Sequence, residues 1–255
     1  MRLNRFLKSN NPVMNEKAFR QSSQTVLDSD MVSSWSQSNP MTAAGAVNKS
    51  FILMGLMLLT AGLSYVFPSA LFLWGGAIGG LVIVLIATFK RELSPTLAPL
   101  YALIEGLFVG TVTAIYGSLF DGIVFNAITL TIGLLFMMLF IYKMGWVQVN
   151  QKFRTGVIMA TGAVAMVYLL NLVLYAFGMQ VPYLHQGGLI GIGISVVIIV
   201  IACLNLLLDF DNFEKGEQFG APKYMEWFCA MGLLITLVWL YIEILRLLSI
   251  LSSRD

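Results

Sequence analysis

Three observations predict an all-α integral membrane protein built as a seven-transmembrane-helix bundle. Hydrophobic residues make up 58% of the 255 residues and charged ones only 11%, against about half and about a quarter in a soluble domain. Mean hydropathy is +0.83. After Lys49 nearly all of the chain divides into apolar runs separated by short polar breaks, each run about the twenty residues that a helix needs to cross a ~30 Å hydrocarbon layer.

Residues 1–45 are polar, rich in Ser and Asn, and lack a sustained apolar period. They cannot bury enough surface to offset the entropy of ordering, so a disordered tail is expected. The start MRLNRFLKSNNPVMNEKAFRQ has the basic residues of a signal peptide but not its apolar run, which leaves targeting to the first membrane helix.

The domain at 46–255 holds seven runs: Ala46 to Phe67, Ser69 to Phe89, Thr96 to Tyr116, Gly122 to Tyr142, Gly156 to Phe177, Gly187 to Phe210 and Glu226 to Leu251. Only Pro68 and Ser69 separate the first two. A tight hairpin is the simpler reading, because one helix through a Pro interior would be about 44 residues long and exceed any bilayer. Gly75, Gly76, Gly79 and Gly80, then Gly106 and Gly110, then Gly187 and Gly191, give small-xxx-small spacings. Such faces let backbones approach in lipid and predict tight packing within one chain; a dimer through one of them is the alternative, with a monomer as the first expectation.

The basic residues gather at alternate breaks: Arg2, Arg5, Lys8, Lys17, Arg20 and Lys49 before the first run, Lys90 and Arg91 after the second, Lys143, Lys152 and Arg154 after the fourth, Lys215 and Lys223 after the sixth. The breaks after the first, third and fifth runs contain none. Positive flanks stay inside, so the amino terminus is expected in the cytoplasm and the carboxyl terminus outside. Arg246 and Arg254 dissent from this orientation. A last helix that enters without crossing would remove the conflict and is the alternative topology.

Carboxylates inside the apolar runs are the candidates for chemistry, since a charge at the bilayer centre costs about 2.5 to 3.5 kcal/mol on insertion scales. Glu105, in PLYALIEGLFVG, lies mid-run with no basic residue within two turns. It reads either as a neutral acid bonded to a neighbouring helix or as a station for a cation or proton. Asp209 and Asp211 are expected to end the sixth helix, where LDFDNFEKG forms an acidic hinge before the seventh run. The C-terminal end of a helix is unfavourable for a negative charge, which makes both candidates for titration. Glu243 and Arg246 stand three apart on the last run, the spacing of a local ion pair, and if paired Glu243 is structural. Together these acids suggest proton-sensitive control of a small cation pathway.

Other classes find little support. A net charge of +2 with scattered positives argues against nucleic acid. Cys203 and Cys229 fall inside apolar runs and read as packing residues, and His185 stands alone in a loop, so no metal site or cofactor is expected. There is no HExxH, GxSxG or Walker loop, and an enzyme is not expected.

Several stretches in order, NPVMNEKAF, MTAAGAVNKSFIL, PLYALIEGLFVG, QKFRTGVIMATG, LNLLLDFDNFEKG and GAPKYMEWFCAMGLLITLVWLYIEILRLL, resemble bacterial Bax inhibitor-1-like proteins of the transmembrane Bax-inhibitor-motif family over nearly the full length. The resemblance implies a seven-helix fold with the last helix central and, for characterised relatives, a pH-sensitive calcium leak. It further implies that an acid closing the sixth helix, matched by Asp209, pairs with an acid on the seventh, joined by a basic residue near Lys90 or Arg91. Aligning LYIE on the family's LYLD pattern makes Glu243 the partner, whereas aligning LRLL puts Thr236 there. Positions 236 and 243 are seven apart and share a helix face.

The expected function is therefore a cation leak gated by protonation of intramembrane carboxylates, with calcium or protons as the permeant or regulatory species. Two others compete: a non-conducting regulator that binds a membrane protease or other membrane complex, and a cation/proton exchanger.

Overall fold

The structure is a computed structural model and describes residues 40–176 and 188–253. Most of the polar tail, the loop with His185, Gly187, and Arg254 lie outside the described residues. Seven long helices account for nearly all the rest: α1 (Ala43–Val66), α2 (Ala70–Phe89), α3 (Ser94–Leu119), α4 (Ile123–Lys143), α5 (Gln151–Ala176), α6 (Leu189–Gln218) and α7 (Met225–Ser252), with a 3-10 turn at Arg91–Leu93. All seven are long and apolar enough to cross a membrane.

The α1–α2 break falls where Pro68 requires it. Phe67 closes α1 through its N–H to the Leu63 carbonyl, and the Ser69 hydroxyl accepts from the Leu71 N–H to cap α2. The expected acidic hinge, however, is helix. α6 continues through LDFDNFEKG to Gln218, so Asp209 lies nine residues inside the helix, about two and a half turns from its end. Partners for the charges explain the continuation. Asp211 is paired with Lys215 one turn on at 2.7 Å and with Arg154 of α5 at 2.8 Å, and Glu214 accepts a 2.7 Å hydrogen bond from the Tyr142 hydroxyl of α4. The stop comes at Gly220, whose positive φ of 62° lets its N–H reach the Glu217 carbonyl while the Ala221 N–H reaches that of Gly216. That is a Schellman closure, followed by Pro222.

α7 is the central helix. It packs against α1, α3, α4, α6 and the 3-10 turn, and 67% of its most apolar window is buried, against 11% for α4 and 6% for α5. The outer helices turn large apolar side chains such as Phe125, Met159 and Leu189 away from the bundle, as a hydrocarbon surround demands.

The small-residue face of α3 closes the bundle on α1, where a methyl at Gly106 or Gly110 would overlap the Met57 or Ala61 carbonyl. Gly76, Gly79 and Gly80 of α2 similarly admit Phe108, Ile104 and Glu105. Ser64 reinforces the α1–α3 seam by donating to the Leu107 carbonyl at 2.6 Å. Apolar contact provides little drive between helices in lipid, so close approach and a few hydroxyl bonds determine which faces meet.

Candidate functional site

Asp209, Glu243 and Glu105 fall in three separate groups of side chains, and only the first combines an unpaired carboxylate with the sixth and seventh helices. Asp209 of α6 points at α7. Its Oδ1 lies 3.7 Å from where a Cβ on Gly232 would sit, and Thr236, whose hydroxyl donates to the Gly232 carbonyl at 3.2 Å, is the next polar side chain along that face of α7. Its Oδ2 is buried without a hydrogen-bond partner, and no ion pair among the described residues includes it. Gly232 and Thr236 are one turn apart on one face of α7, and Cys229 stands nearly a turn before Gly232. The Arg91 guanidinium sits over the Phe228 ring at 5.3 Å. Sequence alone left Thr236 and Glu243 as alternative partners for Asp209; in the structure Thr236 lies one turn beyond Gly232, beside Asp209, and Glu243 lies farther along α7.

Glu243 stands two turns farther along α7, about 10 Å away by helix rise, in a different group. It is 3% exposed, accepts a short hydrogen bond from the Tyr168 hydroxyl of α5, and lies 3.4 Å from Arg246. Arg246 Nη1 also donates to Tyr168, and its guanidinium is 5.9 Å from that ring. The i,i+3 ion pair expected from spacing is present, and Glu243 is held in it.

Glu105 is buried in the third group, near the middle of α3, with its carboxylate in the space that Gly80 leaves open and beside Tyr101. No ion pair among the described residues reaches it. It is a second acid without a countercharge, but on the α2–α3 seam rather than beside Asp209. Asp211, neutralised by two cations, is a clamp between α5 and α6. Lys90 is exposed at the end of α2 and joins neither acid.

One buried acid escaped the sequence reading. Glu226, 2% exposed in the first turn of α7, is paired with Lys49 of α1 and accepts from the Thr42 N–H at 2.9 Å and its hydroxyl at 3.3 Å. The segment before α1 lies along the α6–α7 turn, with Met41 N–H donating to Ala221 at 2.8 Å and the Met41 thioether filling the notch at Gly216. A carboxylate in a helix's first turn was the available signal. That Lys49 would meet it across 177 positions is information only the tertiary fold supplies.

No group of three or more His, Cys, Asp or Glu side chains suited to a metal ion occurs among the described residues. What the arrangement offers is acid–base chemistry: a carboxylate between two helices, with the Thr236 hydroxyl on the facing helix and the Arg91 guanidinium held on the Phe228 ring one turn before Gly232.

Fold and site thus define a multi-pass membrane protein with buried carboxylates and a central helix. The family model described as Bax inhibitor 1 like matches residues 11–253, and the chain belongs to that family. Comparison with curated proteins gave no match.

Proposed function

We propose that the protein is a pH-sensitive leak for calcium or a similar small cation, gated by the proton on Asp209, in a bacterial inner membrane with the amino terminus cytoplasmic. The observation that carries this reading is the Asp209 carboxylate itself, which faces α7 with one buried oxygen unpartnered and no ion pair to it among the described residues. A protonated Asp209 can donate to Thr236 and let α6 and α7 close on each other. Once ionised, the same group is an uncompensated charge between packed helices, which costs several kcal/mol unless water or a cation reaches it. Opening of the α6–α7 seam satisfies the charge, so flux rises with pH through the range in which Asp209 ionises. Family membership and the central position of α7 support the same reading.

The resemblance to relatives with an acid pair requires one adjustment. With Thr236 opposite Asp209, like-charge repulsion at that contact gives way to the desolvation cost of a single carboxylate as the opening force.

The test uses the purified full chain in liposomes loaded with a calcium dye. Calcium entry above that of empty liposomes, suppressed by acid, is expected. Absence of flux at every pH would end the reading and favour a non-conducting membrane regulator. Flux that follows an imposed proton gradient, rather than pH alone, would identify a coupled exchanger.

A further inference from the structure

At the end of the bundle where α2 meets α3, a polar cleft of about 750 Å³ is lined by Thr88, Lys90, Arg91, Glu92 and Tyr224. Three cations at this end are committed to acids, Lys49 to Glu226 and both Arg154 and Lys215 to Asp211. Lys90 and Arg91 are in no ion pair among the described residues and are exposed, so the cleft keeps a net positive charge even with Glu92 in its wall. Apolar side chains border it, with Phe89 85% exposed and Leu93 46% exposed. Beyond Phe89 the outward face of α2 continues with Ile86, Leu85 and Val82, all exposed. Exposed apolar groups next to unpaired cations mark the level where hydrocarbon gives way to water.

We propose that this cleft binds the headgroup of an anionic glycerophospholipid, with Lys90 and Arg91 on the phosphate, the Tyr224 hydroxyl as a further donor, and the acyl chains along the exposed face of α2. The apolar border selects a lipid over a free anion, because inorganic phosphate would gain the cations but leave Phe89 and Leu93 uncovered. Arg91 is already held against α7 by the Phe228 ring, so part of the ordering cost of its long side chain is met before the ligand arrives. The site stands whether or not the chain conducts cations.

The experiment is a lipid titration of the full chain in neutral detergent, read by native mass spectrometry, with phosphatidylglycerol, phosphatidylcholine and inorganic phosphate as separate probes. Phosphatidylglycerol is expected to bind well above phosphatidylcholine, and millimolar inorganic phosphate to leave its occupancy unchanged. The Lys90→Gln/Arg91→Gln double variant should weaken phosphatidylglycerol about thirtyfold, at roughly fivefold per cation near a membrane surface. Glu92→Gln should strengthen it severalfold, and a general loss of structure cannot produce opposite changes at adjacent positions. Unchanged phosphatidylglycerol binding in the double variant would overturn the assignment. Displacement of the lipid by inorganic phosphate would show a free-anion site and overturn it equally.

Discussion

Asp209 of α6 and Thr236 of α7 face each other across the seam between the sixth and seventh helices, with Gly232, one turn from Thr236, next to the carboxyl. Glu243 shares the Thr236 face but is bound two turns off by Tyr168 and Arg246. The two acids on this axis therefore differ in kind: one has no countercharge, and the other is already neutralised.

The difference predicts that Asp209→Asn changes calcium flux and Glu243→Gln does not. Asp209→Asn removes the titrating group while keeping its size, so flux per folded protein should stay at the low, acid-like level at every pH. Glu243→Gln should retain the pH dependence of the wild type, since its partner contacts are structural. Dye-loaded liposomes assayed across pH check both; an unchanged profile in Asp209→Asn would move attention to Glu105, the other buried acid without a cation.

A second prediction concerns the latch between α1 and α7. Lys49 is 16% exposed and Glu226 2% exposed as side chains. Lys49→Met leaves a buried carboxylate without its cation and should cost about 3–5 kcal/mol. The double variant Lys49→Met/Glu226→Leu removes the charge as well and should be more stable than Lys49→Met alone. Thermal unfolding of the purified variants in detergent measures the order, and additive losses would show that the pair is not coupled.

The membrane class and the helix count were legible because hydrocarbon leaves the sequence few options: runs of about twenty apolar residues must be helices. Helix ends were legible where a local rule operates, as at Pro68 and Ser69. The α6 terminus was not, because the charges of LDFDNFEKG look like a loop until Arg154 and Tyr142, more than 50 positions away, are placed beside Asp211 and Glu214. Site residues were legible as a set of costly acids. Which of them are paired was legible only for Glu243 and Arg246, three apart on one helix, whereas the partners of Glu226 and the isolation of Asp209 are properties of packing between helices.

Glycines give a stability prediction with an internal control. A methyl at Gly110 would overlap the Ala61 backbone carbonyl, while nothing lies near a methyl at Gly133. Gly110→Ala should therefore destabilise by about 1–3 kcal/mol through forced separation of α1 and α3. Gly133→Ala should be neutral or stabilise by up to about 1 kcal/mol from helix propensity. Melting in detergent separates them, and equal effects would argue against close α1–α3 packing.

The last prediction concerns the orientation of the chain. α7 begins at the end of the bundle that carries Lys49, Arg91, Arg154 and Lys215, and runs as one unbroken helix of 28 residues, about 42 Å by helix rise. That length suits a complete crossing. Arg246 and Arg254 still run against the positive-inside pattern, although Arg246 is bound to Glu243 and Tyr168. The unbroken course of α7 offers no bend at which a helix could enter and return, and favours the complete crossing. A reporter fused after Asp255 should accordingly be active only outside the cytoplasm, and one fused within residues 1–39 only inside it. Cytoplasmic activity of both fusions would overturn the complete crossing of α7.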